Sequence, residues 1–368
     1  MRPIFRSVPV TALKSSTGAP NIRRPKAVCV LEELARDLIY GPREMSDIES
    51  LFEIIAPPQN GKSIMELTEV LLQIEVLITG WGGPVLDAEF LKAAPNLKAV
   101  FFGAGAVAYI VTPAFWDRKI VLSSAYAINA IPVAEYTFAT IVFSLKHAWR
   151  LARAVRENVP CRPVLDVPGC YGSTVGLVSM GMIARTLLKH LEMCDLHVLA
   201  YDPFMDQAEA EQLGIELVSL EELFTRSDVV SVHTPLFHET VGLITGSHIA
   251  SMKHGATVIN TSRGEIIREE ELLDVLENRP DLQAVLDVCI SEANPASRLL
   301  SLPNIVLTPH IAGSIGAECR RMGRFVIDEM QRYLSGQPLQ GLITSKLAEK
   351  SSHRPARMRP HPEKVPVA

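Results

Sequence analysis

The stretch Val175-Gly176-Leu177-Val178-Ser179-Met180-Gly181-Met182-Ile183-Ala184 runs from a β-branched apolar segment straight into a helical pattern, and its reading decides the fold. Set against the dinucleotide-binding pattern G-x-G-x-x-G/A, it gives Ser179-x-Gly181-x-x-Ala184. Gly181 lets backbone approach a pyrophosphate, and the small Ala184 lets helix pack on strand. The N–H groups of Gly181, Met182 and Ile183 and the helix dipole then favour an anion. Ser179 stands where the first glycine would make the tight turn, so the turn alone is also compatible with close packing. Tyr201-Asp202-Pro203 ends the next strand, with Asp202 21 residues beyond Gly181. That is near the spacing of the acid that holds adenosine ribose hydroxyls. A carboxylate there repels a 2′-phosphate, so NAD is expected over NADP.

Working outward, apolar runs alternate with helical patterns. The runs are Thr174–Ser179, His197–Asp202, Val229–Pro235, Ala256–Thr261, Leu282–Val288 and Asn304–Pro309. Their continuous apolar character predicts strands covered on both faces, hence a parallel sheet. Helices are predicted over Met182–Met193, Leu220–Phe224 and Glu269–Glu277. The last carries Glu269, Glu270 and Glu271 where carboxylates favour the dipole. In the first 125 residues, Ala27–Leu31, Glu75–Thr79 and Leu97–Phe102 read as strands, and Met65–Leu72 and Leu86–Ala94 as helices. Pro132–Arg153 reads as a buried helix bridging two units, and Ala317–Leu334 as a long amphipathic helix ending at Ser335-Gly336. The fold class is α/β: two doubly wound Rossmann-like domains with a cleft between them.

Composition sets outer limits. The 368 residues suffice for two domains, and 48% hydrophobic with 21% charged is ordinary globular usage. Lys+Arg 36 against Asp+Glu 41, net −5, argues against a nucleic-acid partner. The ends are basic: residues 1–26 hold six cations and no acid, and 346–368 hold six cations and two acids. Six cysteines without a C-x-x-C pair argue against a zinc site or a disulfide framework and fit a reducing, cytoplasmic setting. An organelle transit segment is the alternative reading of the acid-free start. No run of about 18 predominantly apolar residues stands out, so no membrane span is expected.

Three strand ends carry polar residues where a doubly wound sheet places its ligand crevice. They are Asn260-Thr261-Ser262-Arg263-Gly264, Asp287-Val288-Cys289-Ile290-Ser291-Glu292 and Thr308-Pro309-His310-Ile311-Ala312-Gly313. An Arg fork can hold a carboxylate and polarise a neighbouring carbonyl. A His can give or take a proton near neutrality, and an adjacent Glu would fix its tautomer. The set suits reduction of a 2-oxo acid. Singly, each has a plainer reading: Arg263 as a loop ion pair, His310 as a cap, Glu292 as surface charge.

The segment from Gly172 to about Leu342 resembles the cofactor domain of the D-isomer-specific 2-hydroxyacid dehydrogenases. The resemblance is carried by Val232-His233-Thr234-Pro235-Leu236 with Glu239-Thr240, Ile259–Gly264, Leu286–Glu292 with Pro295, Leu302-Pro303-Asn304 and Thr308–Gly313, in matching order and spacing. It implies that Arg263 binds substrate, His310 is the acid/base and Glu292 orients it. It further implies that Asp287 meets the nicotinamide carboxamide, and that Thr234, Thr261, Ser262 and Gly313 line the cofactor site. Phe102-Gly103-Ala104-Gly105 is similar to the family's substrate loop, whose backbone N–H groups grip a carboxylate. Asn129–Glu135 is similar to its entry into the cofactor domain. The acid-free start reads as a basic arm at 1–25, and the resemblance implies a substrate domain from 26–128 completed by 317–345. It likewise implies an NAD domain at 129–316 and a homodimer joined through Pro132–Arg153, while proline and mixed charge make 346–368 a disordered tail.

Departures sharpen the expectation. Besides Ser179, Met182 stands where the family commonly has an Arg on the pyrophosphate, and Ala106-Val107-Ala108 replaces an Asp-containing turn. Phe101 stands where phosphoglycerate enzymes tend to have Arg, and little chain follows residue 342 for their regulatory domain; phosphoglycerate is disfavoured. Trp81 and Tyr109 read as core or as walls of an apolar substrate pocket. The expected function is interconversion of a 2-oxo acid and a D-2-hydroxy acid with NAD. An NAD(H)-sensing, corepressor-like protein is the main alternative. A formate-dehydrogenase-like enzyme is opposed by Glu292, and an NADP enzyme by Asp202.

Overall fold

The computed structural model describes residues 23–160 and 167–349. Most of the 1–25 arm and of the 346–368 tail lies outside the described residues. Residues 346–349 do not belong to a tail: they continue a helix, Ser345–Glu349, whose Ala348 is buried in the first domain's core.

Two parallel sheets carry the chain. The first joins β1 (Lys26–Val30), β2 (Glu53–Ile54), β3 (Val76–Thr79), β4 (Ala99–Phe102) and β5 (Val121–Ser124) in the order β2-β1-β3-β4-β5. The second joins β6 (Thr174–Val178), β7 (His197–Tyr201), β8 (Glu216–Leu217), β9 (Val229–Val232), β10 (Thr257–Asn260), β11 (Gln283–Leu286) and β12 (Ile305–Leu307). Their order is β12-β11-β10-β9-β6-β7-β8. β4, β9, β10 and β11 are buried end to end, as continuous apolar runs require when helices cover both faces. Strand order reverses between β1 and β3 and between β6 and β9, and ligands of such sheets sit beyond the carboxyl ends at the reversal.

The helix Cys319–Leu334 returns to the first sheet. It buries Cys319, Met322, Val326, Ile327 and Met330 with Ala27, Ile78 and Phe101. Gly323 makes this possible: a Cβ there would lie 1.9 Å from the Ile39 carbonyl oxygen. Phe101 points into this core, edge-on to Tyr333 with ring centroids 5.7 Å apart. It therefore faces no ligand and says nothing about a phosphate. Tyr109 packs edge-on to Phe102, and Trp81 packs against the cores on both sides of the first sheet.

The segment read as one helix over Pro132–Arg153 is two, Tyr126–Leu145 and Ala148–Arg156. His147 breaks them with a left-handed backbone, φ +47°. The first, here the linking helix, carries Pro132 in its interior and packs along Met182–Leu191. By length and composition it is apolar enough to cross a membrane, contrary to the expectation of no such run. Pro132 and Glu135 had masked its apolar length, and more than half of that stretch is buried inside the protein.

Candidate active site

The β6 end and the β9 end meet at the second sheet's reversal. Ser179 Oγ lies 3.0 Å from Thr234 Oγ1. Ser179 adopts φ +75°, the left-handed conformation that a glycine takes without strain. The Met180 N–H donates to Asp202 Oδ2 at 2.8 Å, and the Phe204 N–H donates to Oδ1 at 2.8 Å. Asp202 thereby fastens the turn to the end of β7.

The helix Met182–Leu191 begins at Gly181 with no side chain capping its first amides, and a Cβ built on Gly181 would meet nothing within 4 Å. An uncapped ten-residue helix facing open space, with a carboxylate on the adjacent strand end, fits a dinucleotide's pyrophosphate and ribose. Met182 is half-exposed at the helix start and brings no charge. Arg185, one turn on, donates from Nε to the Met180 carbonyl oxygen at 2.8 Å and pairs with Glu209 at 2.7 Å. His233, next to Thr234, is buried with Nε2 3.0 Å from Ser231 Oγ, and burial depresses its pKa to about 4.

Arg263 sits on a turn braced by Asn260. The Asn260 side chain donates to the Arg263 carbonyl oxygen at 2.8 Å and accepts from the Ser262 N–H and hydroxyl at 3.0 and 2.8 Å. Thr261 Oγ1 lies 3.3 Å from Thr137 Oγ1 on the linking helix. Gly264 lets this turn abut the end of β11: a Cβ there would lie 2.2 Å from the Cys289 carbonyl carbon. The next loop carries Glu292. Glu269 holds that loop by accepting from the Ile290 N–H at 2.9 Å, and burial raises the Glu269 pKa.

His310 completes the set. Its Nδ1 lies 3.0 Å from Glu292 Oε1 and 3.2 Å from Oε2. Its backbone is left-handed, φ +58°. Asp287, expected to meet the nicotinamide carboxamide, is 1% exposed, and its carboxylate is engaged by local donors. It accepts from Thr308 Oγ1 at 2.6 Å, Ile311 N at 2.8 Å and Ala312 N at 2.9 Å. The task visible in its geometry is to hold the turn that carries His310.

From the first domain, the loop Gly103-Ala104-Gly105 lies close to Asn129. Gly103 donates its own N–H to the Thr79 carbonyl oxygen at 2.8 Å, so the sheet takes that amide from the expected anion grip. The carbonyls of Ala104 and Gly105 accept from Ser124 Oγ at 2.8 and 2.7 Å. Cβ atoms built on Gly105 and Gly313 would lie 3.2 and 3.5 Å from the Asn129 amide, which therefore stands between the substrate loop and the His310 turn. Asn129 Oδ1 accepts from the Ser314 N–H at 3.0 Å. A separate cavity of about 220 Å³, lined in part by Ser144, His147, Arg150 and His254, involves none of these residues.

Asn129, Asn260, Glu269 and Thr308 brace the site; the sequence marked them as members of quoted segments, not for these hydrogen bonds.

Residues 138–312 match the family described as D-isomer specific 2-hydroxyacid dehydrogenase, NAD binding domain. The chain is 31% identical over 294 residues to a D-3-phosphoglycerate dehydrogenase of Archaeoglobus fulgidus, covering 80% of this chain and 56% of that one. It is 32% identical over 252 residues to that of Mycobacterium bovis, covering 68% and 48%. The chain thus spans about half the length of the curated relatives it matches. Among solved structures it is similar to Rhodotorula graminis D-mandelate dehydrogenase, 25% identical with a TM-score of 0.74, covering 88% of this chain and 98% of that one.

Proposed function

The chain belongs to the D-isomer specific 2-hydroxyacid dehydrogenase family, and from that premise we propose that it interconverts a 2-oxo acid and a D-2-hydroxy acid using NAD. The observation that carries this reading is the His310–Glu292 contact at 3.0 Å, on a sheet edge shared with Arg263.

When bound, the nicotinamide supplies or accepts the hydride. The Gly181, Met182 and Ile183 amides hold the pyrophosphate, Asp202 the ribose, and Ser179, Thr234, Thr261, Ser262 and Gly313 line the slot. Arg263 pairs with the substrate carboxylate and draws electron density from the adjacent carbonyl. The amides beyond Gly103, those of Ala104 and Gly105, grip the same carboxylate. Glu292 takes Nδ1 of His310, which leaves Nε2 to exchange the proton with the substrate oxygen.

Asp202 supports NAD over NADP, because its carboxylate would face a 2′-phosphate. Phe143 and Val155, both more than half exposed on the linking helix and its successor, support a homodimer through that region. Free cysteines at 29, 170, 194, 289 and 319 support a reducing, cytoplasmic setting. A second reading, an NAD(H) sensor with little turnover, is favoured by Ser179 in a glycine conformation and by the uncharged Met182.

The test is turnover of a panel of 2-oxo acids at saturating NADH, with chiral analysis of the product. A D-product that disappears in Arg263→Ala supports the enzyme. An L-product, or turnover unaffected by that substitution, defeats the assignment.

A further inference from the structure

We propose that Tyr136, on the linking helix, is a positioning residue for His310, acting through Thr308 and Asp287 without touching substrate. The inference rests on the assignment of His310 as the proton-transferring group.

The contacts have a fixed direction. Tyr136 Oη lies 3.0 Å from Thr308 Oγ1, and Thr308 Oγ1 donates to Asp287 Oδ1 at 2.6 Å. A hydroxyl has one proton, and Thr308 gives its own to the carboxylate. Tyr136 is therefore the donor to Thr308. Asp287 in turn accepts the N–H groups of Ile311 and Ala312 on its carboxylate, and that of His310 on its main-chain oxygen at 3.0 Å. Relay and turn form one continuous network from the linking helix to the backbone of His310.

The turn has reason to need such support. His310 is held at φ +58°, a conformation that a side chain with a Cβ disfavours. Such a conformation persists only where the surroundings over-determine it. Asp287 fixes residues on both sides of it and the His310 amide itself. The linking helix adds a second hold: Asn129, seven residues before Tyr136 and so two turns away on the same face, accepts from the Ser314 N–H at 3.0 Å. One helix face thus grips the 308–314 segment at both ends. Partial burial raises the Tyr136 pKa, which keeps its phenol a donor well above neutral pH.

The experiment compares Tyr136→Phe, Thr308→Val, Thr308→Ser and the Phe/Val double variant as full chains. NADH affinity is read by fluorescence, kcat and KM by turnover of a 2-oxo acid, and local opening by amide hydrogen exchange of the 308–314 segment. Tyr136→Phe is expected to lower kcat about 5-fold, the size of one lost hydrogen bond. KM and NADH affinity stay within twofold, and exchange rises in that segment alone. Thr308→Ser, which keeps the hydroxyl, stays near wild type, and the double variant is no worse than Thr308→Val.

Wild-type kcat and exchange in Tyr136→Phe would overturn the proposal. So would additive effects, or faster exchange across the whole cofactor domain, which would make Tyr136 a general packing residue. The exchange measurement needs no turnover. If wild type reduces no 2-oxo acid, the reading of the preceding subsection fails while exchange still decides this one.

Discussion

His310 Nδ1 stands 3.0 Å from Glu292 Oε1, although the two residues lie 18 positions apart on different strand-end loops. Their side chains are 27% and 30% exposed, open enough for a substrate to reach and sheltered enough to hold one geometry. The loop of Glu292 is tied down by Glu269, and that of His310 by Asp287. The pair is built by its supports rather than by chance contact of surface charges.

Loss of the imidazole should cost turnover most. His310→Ala is expected to lower kcat by about 10²–10⁴, the range of a general acid/base. Glu292→Gln keeps a hydrogen-bonding oxygen but removes the charge, and should cost about tenfold, since charge-assisted bonds are roughly twice as strong as neutral ones. Steady-state kinetics with NADH affinity measured in parallel checks both. Affinity should not change in either.

Ser179 holds a backbone conformation that favours glycine while its hydroxyl meets Thr234. Ser179→Ala keeps the strain and loses the bond, so it should be less stable than wild type by about 1 kcal/mol. Ser179→Gly loses both and should unfold at or above the wild-type denaturant midpoint, with tighter NADH binding. The order Gly above Ala is the check, read from urea unfolding and fluorescence titration.

His233 links stability to pH. Its folded pKa of about 4 lies below the ordinary 6.5, because burial penalises the charged ring. Between those values the unfolded chain binds more protons, so stability rises with pH there. The contribution is complete above about pH 6.5 and is lost as pH falls toward 4, by about 3 kcal/mol in full. Thermal midpoints at pH 7.5 and 5 should differ more in wild type than in His233→Asn.

Glu329 fastens the chain's return to the first domain. Fully buried, it accepts from Ser123 Oγ at 2.9 Å, Gln340 N at 3.0 Å and Gly341 N at 2.8 Å. Glu329→Ala leaves these donors unsatisfied and should cost about 3 kcal/mol. Urea unfolding checks it, and Glu329→Gln, which keeps an acceptor, should lose less.

Much of the second sheet was legible because a strand covered on both faces writes a continuous apolar run, as Thr174–Val178 and Gln283–Leu286 do. Two-residue edge strands, Glu53–Ile54 and Glu216–Leu217, are too short to write any pattern. Val121–Ser124 closes the first sheet on two serines, and so it lacked a strand's signature. The helices Glu33–Ile39 and Pro42–Leu51 were hidden by mixed charge and by the Gly41-Pro42 break between them.

Pro132 misplaced the start of the linking helix. Proline favours a first turn, yet here it lies inside a helix that begins at Tyr126. In the site, Arg263, Glu292 and His310 were legible because each ends a readable strand. Tyr136 and Thr308, 172 residues apart, share no local pattern, and only the packed fold pairs them. Asp287 was legible as a residue, but its hold on the His310 turn was not, because backbone donors leave no mark in the sequence.

The central claim is that this site both binds NADH and uses it. The most direct measurement is a fluorescence titration with NADH, followed in the same cuvette by glyoxylate, hydroxypyruvate, pyruvate and bulkier 2-oxo acids, for wild type and Arg263→Ala. The account predicts saturable binding by both proteins and loss of the NADH signal with at least one acid in wild type alone. Binding by both with no loss of signal for any acid would contradict it and turn the assignment toward a sensor.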